Sequence, residues 1–158
     1  RRGNGMEKGG RNMLENRMEL RFASISQNEA LARTVAAAFA TQLNPTIEEL
    51  TDIRTAVSEA VTNAIIHGYE NRRDETVTLK GEIEGERLVF IIEDQGKGIE
   101  DVEMARQPFF TTQPDMERSG MGFSVMEAFM DRVKVESALG KGTRIRLEKE
   151  LRQVECDG

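Results

Sequence analysis

A chain of 158 residues is long enough for one well-buried core and too short to expect two. With 38% apolar and 32% charged residues it has the composition of a globular domain, and no apolar run approaches the roughly 20 residues that cross a bilayer. A net charge of −6, with basic residues scattered among acidic ones, argues against a nucleic-acid groove, and the single Cys156 excludes an internal disulfide. The first residues lack the apolar stretch of a signal peptide, so the expected setting is the reducing cytoplasm, with neither membrane nor nucleic acid as a direct partner.

Residues 1–17, rich in Gly, Arg and Asn, show no hydrophobic period and are set aside as a leader, with Met18 or Met13 as the expected natural start. A single domain is expected over 18–150, followed by a polar tail over 151–158. Met18, Leu20 and Phe22 alternate with charged residues as in a half-buried strand. Ser26 and Glu29 have capping-box spacing, and Leu31, Val35, Ala38, Phe39 and Leu43 mark the apolar face of a first helix. Asn44-Pro45-Thr46 breaks it and opens a second helix to about Tyr69, with a core stripe of Leu50, Ile53, Val57, Ala60, Val61 and Ala64 and with Gly68 at its end. Strands follow over Thr76–Ile83 and Leu88–Glu93, turning near Gly85. The second is apolar at successive positions and is expected to be central and covered on both faces. A short helix near Asp101–Gln107, an irregular stretch over Pro108–Met121 read as a mobile lid, a helix from Phe123 and strands around Val133/Val135 and Ile145/Leu147 complete the chain. The expected fold is a two-layer α/β sandwich: a mixed, largely antiparallel sheet of about five strands with helices on one face.

Four local patterns could carry chemistry. Glu59 and Asn63, four residues apart, share one face of the second helix, away from its core stripe. A carboxamide oxygen there suits Mg²⁺ beside nucleotide phosphates, and a carboxylate suits a general base; a solvated helix face also accounts for the pair. His67, the only histidine, continues that face and is otherwise a structural group near a helix end. Asp94-Gln95-Gly96-Lys97-Gly98-Ile99 follows the central strand: a strand-end carboxylate could accept from an exocyclic amino group and the glycines permit close approach, or the segment is a plain turn. Gly120-Met121-Gly122 opens the helix at Phe123, where free backbone N–H groups suit phosphates or end a surface loop. Gly140-Lys141-Gly142-Thr143 reads, by itself, as a hairpin turn.

Taken in order, these patterns resemble the asparagine box and three glycine boxes of the GHKL ATPase/kinase superfamily. SEAVTNAIIHGYEN (58–71) and ARQPFFTTQPDMERSGMGFSVMEAFMD (105–131) are similar to the anti-sigma-factor serine kinases within it, most of all the sporulation anti-sigma-F type, with a resemblance that runs from about Met18 to Glu150. It implies a Bergerat-type ATP-binding fold that takes ATP or ADP with Mg²⁺. Glu59 would be the base and Asn63 the magnesium ligand; Asp94 would hold the adenine amino group, assisted by Thr143. Gly96, Gly98, Ile99, Gly120, Met121, Gly122 and Phe123 would line the nucleotide. The implied partners are an RNA polymerase sigma factor, an anti-anti-sigma protein phosphorylated on serine, and a second copy in a homodimer, with Arg33, Glu117 and Arg118 at partner contacts. A general-stress kinase of the same family and a non-catalytic sigma-binding module are the alternatives. A histidine kinase would need a phospho-accepting helical hairpin, and a gyrase-like clamp would need further domains.

Overall fold

The computed structural model describes residues 14–107 and 122–151. Five strands form one sheet: β1 (Glu15–Ala23), β2 (Thr76–Glu84), β3 (Arg87–Asp94), β4 (Arg132–Ala138) and β5 (Gly142–Glu150), in the order β1-β2-β3-β5-β4. Every neighbouring pair is antiparallel, so the expected two-layer sandwich holds with no parallel component. β1 starts at Glu15, three residues earlier than its alternation suggests.

The α-helices are α1 (Gln27–Ala40), α2 (Ile47–Thr62), α3 (Val102–Ala105) and α4 (Phe123–Phe129), with a 3-10 turn over Thr41–Leu43 and a π-helical segment over Asn63–Gly68. α2 is the spine of the helical layer, packing against α1 and α4. Its start is set by Thr46, whose side chain accepts from Glu49 N (3.0 Å) while the Glu49 carboxylate accepts from Thr46 N (2.9 Å). This reciprocal box satisfies two helix-end donors, and Glu48 and Glu49 favour the positive end of the helix. The box expected at Ser26 does not form, because Ser26 already has helical backbone angles and its side chain makes no cap bond. α1 is also rotated from its expected face. Ala32, Ala36, Phe39, Ala40 and Leu43 are buried, whereas Leu31 is 45% exposed; small alanines allow α1 to approach α2 closely, and that contact outweighs the larger Leu31.

The core lies between the helices and the inner sheet face, where Leu88, Phe90 and Ile92 meet Ile53, Val57 and Val61 in one cluster. Gly81 lets Phe39 press onto β2, since a Cβ there would sit 2.9 Å from its ring, and Phe39 meets Phe90 edge-on at 6.1 Å. The second cover expected for β3 is not a layer of structure. Val89 and Ile91 are buried on the outer face, outside the core cluster, beneath long charged side chains on neighbouring strands. Lys80–Glu93 (3.4 Å), Arg144–Glu93 (3.0 Å) and Arg146–Glu148 (2.7 Å) pair across that face, so aliphatic stems shield the two apolar side chains while the charged heads stay in water.

Candidate nucleotide site

Strand alternation builds one wall of the site. Across β3, β5 and β4 the inner face carries the rungs Phe90–Leu147–Val133 and Ile92–Ile145–Val135, then ends in a polar rung, Asp94–Thr143–Ser137. Asp94 is only 6% and Thr143 only 9% exposed. The Asp94 carboxylate accepts from Gly96 N at 2.8 Å. Burial pushes its pKa up from 3.8 to about 6, against the opposing pull of the backbone N–H groups of Gly96 and Thr143. The Thr143 hydroxyl lies 2.7 Å from Ser137 Oγ, which also accepts from Ile99 N at 2.8 Å.

The end of α2 builds the facing wall. Beyond Thr62 the helix widens into a π-helical segment, Asn63–Gly68, with Tyr69 N bonded to Ala64 O and Asn71 N to Ile65 O. The wider turn presses Gly68 onto Asp94, where a Cβ would stand 2.7 Å from Oδ1; such insertions recur at functional sites because they re-aim side chains. Asn63, His67 and Gly68 thereby line one recess with Asp94, Gly98, Ile99, Phe123, Thr143 and Ile145. Glu59, one turn before Asn63, is half-buried beside Gly122, whose φ of 66° and contact with Glu59 Oε1 exclude a side chain. Burial raises the Glu59 pKa, and the nearby Glu29 charge raises it further.

The glycine segment after β3 is stitched between these walls. Lys97 N donates to Gly68 O (3.0 Å) and Gly140 N to Lys97 O (2.7 Å). A Cβ on Gly96 would overlap Gly68 O, and one on Gly98 (φ 79°) would overlap Ala138 O. Tyr69, buried behind the site, accepts from Gln95 N (2.6 Å) and donates to Thr76 O (2.7 Å), which fixes the backbone next to Asp94. A broader groove on the outer sheet face, between Glu19, Arg21, Lys80 and Glu93, is open and lined by charged, polar and a few apolar residues, without the glycines that converge on the recess.

Of the residues singled out from the sequence, Asn63, Asp94, Gly98, Ile99, Phe123 and Thr143 meet at the recess, with Gly96 behind Asp94, and Glu59 and Gly122 in contact beside it. Gly120, Met121, Glu117 and Arg118, the proposed lid and Cys156 lie outside the described residues. Arg33 stands on α1, away from the recess lining, and is held by both oxygens of Glu29 at 2.8 Å. Ser137 and Tyr69 were not anticipated as site residues. Ser137 shares the inward phase of Val133 and Val135, and Tyr69 is the only tyrosine in the chain, so a signal existed for both.

A buried carboxylate and a buried carboxamide thus line one glycine-framed recess. Residues 22–149 match the family model described as the histidine kinase-like ATPase domain. The chain belongs to that family. Among its relatives, a protein named anti-sigma F factor from Thermoanaerobacter sp. (strain X514) is 60% identical over 134 residues, covering 85% of this chain and 93% of its own length. One of the same name from Clostridium acetobutylicum is 54% identical over 143 residues, covering 90% and 99%. A solved structure containing the RsbU and RsbW domains of a Mycobacterium tuberculosis protein superposes with a TM-score of 0.63 at 17% identity, covering 86% of this chain and 32% of that longer one. The catalytic domain of the histidine kinase ThkA superposes at 0.53 and 16% identity. These two likenesses establish the fold.

Proposed function

We propose that the chain binds ATP with Mg²⁺ in this recess, phosphorylates a serine of an anti-anti-sigma protein, and in its nucleotide-bound form, as a homodimer in the cytoplasm, sequesters a sporulation sigma factor. The observation that carries the kinase reading is the pairing of Glu59 with Asn63. Glu59 on α2 stands one turn before Asn63, the first residue of the π-helical segment, and Asn63 lines the recess together with Asp94. The relatives named anti-sigma F factor support the choice of partner.

The donor set fits Mg²⁺. Asn63 brings a neutral carboxamide oxygen on a side chain that is only 7% exposed, one turn beyond the Glu59 carboxylate. That pattern suits an ion that takes one or two protein ligands and completes its shell with phosphate oxygens and water. Bound there, Mg²⁺ would neutralise charge developing on the transferred phosphoryl group. The chain's own residues supply the rest. Asp94 accepts the base amino group, and the Gly122 backbone allows the triphosphate end to approach Glu59. Glu59 takes the proton of the serine hydroxyl as its oxygen attacks the γ-phosphorus and the bond to the β-γ bridging oxygen breaks, releasing ADP. A carboxylate with a raised pKa is the stronger base for that step.

The test is incubation of the purified chain with labelled ATP and a candidate anti-anti-sigma protein, followed by location of phosphoserine. Glu59→Gln is expected to cut transfer by roughly 10²–10⁴-fold while retaining ATP binding. Near-normal transfer by that variant would remove Glu59 from the chemistry and favour a binding module without catalysis.

A further inference from the structure

Ser137 sits behind Thr143 and is not among the residues lining the recess, yet three bonds converge on its single hydroxyl. Ser137 Oγ accepts from Ile99 N (2.8 Å), donates to Gly142 O (2.9 Å) and lies 2.7 Å from Thr143 Oγ1. A serine hydroxyl has one proton and two lone pairs. With the proton on Gly142 O and one lone pair taken by Ile99, the contact with Thr143 forms only if Thr143 is the donor. The Thr143 proton therefore points away from the recess, and its lone pairs remain on the recess side. Asp94 is its direct cross-strand neighbour in the same rung, and its carboxylate when ionised is also acceptor-only.

We propose that Ser137 is a positioning residue for base selection: by holding the Thr143 proton, it keeps the polar end of the recess an acceptor, which admits a 6-amino purine and turns away a 6-oxo purine. This rests on the nucleotide reading above. A 6-amino group donates and is matched by these oxygens. In the same pose a 6-oxo group sets another acceptor against those oxygens, and its N1–H donor lies one ring position away, so the groups facing the oxo oxygen go unpaired, which is how polar sites discriminate strongly between similar ligands. Without Ser137, the Thr143 hydroxyl rotates freely and its proton becomes available to a 6-oxo group. A residue that merely supported the hairpin would have no such dependence on the base.

The experiment is calorimetric titration of the full chain with ATP and, separately, with GTP, both with Mg²⁺, for the unsubstituted chain, Ser137→Ala, Ser137→Thr and Ser137→Cys. The unsubstituted chain is expected to prefer ATP. Ser137→Ala is expected to narrow the ATP-to-GTP affinity ratio by about tenfold, the scale of one hydrogen bond. Ser137→Thr, which keeps the hydroxyl, should hold the original ratio. Ser137→Cys, whose S–H is a weak donor, should narrow it partly, and it carries the test if the alanine variant does not fold. Equal loss of both affinities, or an unchanged ratio in the alanine and cysteine variants, would overturn the proposal, as would a threonine variant as permissive as alanine. An unsubstituted chain that binds neither nucleotide would bring down the nucleotide reading together with this one. A chain that discriminates, with variants that discriminate equally, would bring down this one alone.

Discussion

Asp94 concentrates the tension between stability and recognition in a single side chain. It is buried at the end of β3 among apolar rungs, and its pKa rises from 3.8 to about 6. A carboxyl group with a raised folded-state pKa binds its proton more tightly folded than unfolded. Its favourable contribution is therefore present in full below pH 3.8 and lost as pH rises through 6. Above that, the folded state carries a desolvated charge that Gly96 N and Thr143 N only partly offset. Asp94→Asn removes the charge and keeps the shape. Its melting temperature is expected to exceed that of the unsubstituted chain above pH 6 and to converge with it below pH 4, while ATP binding is lost. Thermal melts across that range check the sign, and a variant that melts lower at pH 7 would contradict it. Asp94, Asn63 and Thr143 could be picked from the sequence because motif order placed them. Ser137 shows in the sequence only as an inward-phase residue of its strand; its role arises from a rung shared by three strands, two of them 40 or more residues apart in the chain, which local spacing does not reveal.

At the scale of elements, α2 does two jobs with two different ends. Its N-terminus is fixed by the Thr46–Glu49 box, remote from the recess. Its C-terminus opens into the π-helical segment that delivers Asn63, His67 and Gly68 to the site. Thr46→Ala is expected to cost about 1 kcal/mol of stability and to leave nucleotide affinity unchanged. Denaturant unfolding alongside an ATP titration separates the two effects, and coupled losses would show that the ends are not independent. The helix and its core stripe were legible from apolar spacing; the widened turn was not, since periodicity shows that a helix continues and not how its hydrogen bonds close. The same limit turned the face of α1, although Phe39 and Leu43 are buried as expected. Counting large apolar residues favoured Leu31 and Val35, whereas close packing against α2 selected Ala32 and Ala36.

At the scale of the molecule, the antiparallel sheet gives every chemical group one side to work on. Helices cover the inner face, and a mesh of ion pairs over Val89 and Ile91 covers the outer one. The run LVFIIE told of two covered faces without telling that one cover consists of side-chain stems. α1 leaves Leu31 exposed and the Arg33–Glu29 pair half-buried, outside the recess lining but near enough for the Glu29 charge to act on Glu59. On the proposed function this ridge meets the sigma factor, so Arg33→Glu is expected to abolish the complex while ATP binding is retained, because Arg33 is not among the residues lining the recess. Co-purification with the sigma partner checks this, and an intact complex would remove Arg33 from that contact.

The central claim is that Asn63 and Asp94 grip two ends of one nucleotide, and titration calorimetry with ATP tests it most directly. The account predicts saturable binding of one ATP per chain in Mg²⁺, weakened when EDTA removes the ion. Asn63→Ala should be weak in Mg²⁺ and insensitive to EDTA, and Asp94→Asn should show no binding. Mg²⁺-dependent binding that persists unchanged in both variants would place the nucleotide elsewhere and contradict the account.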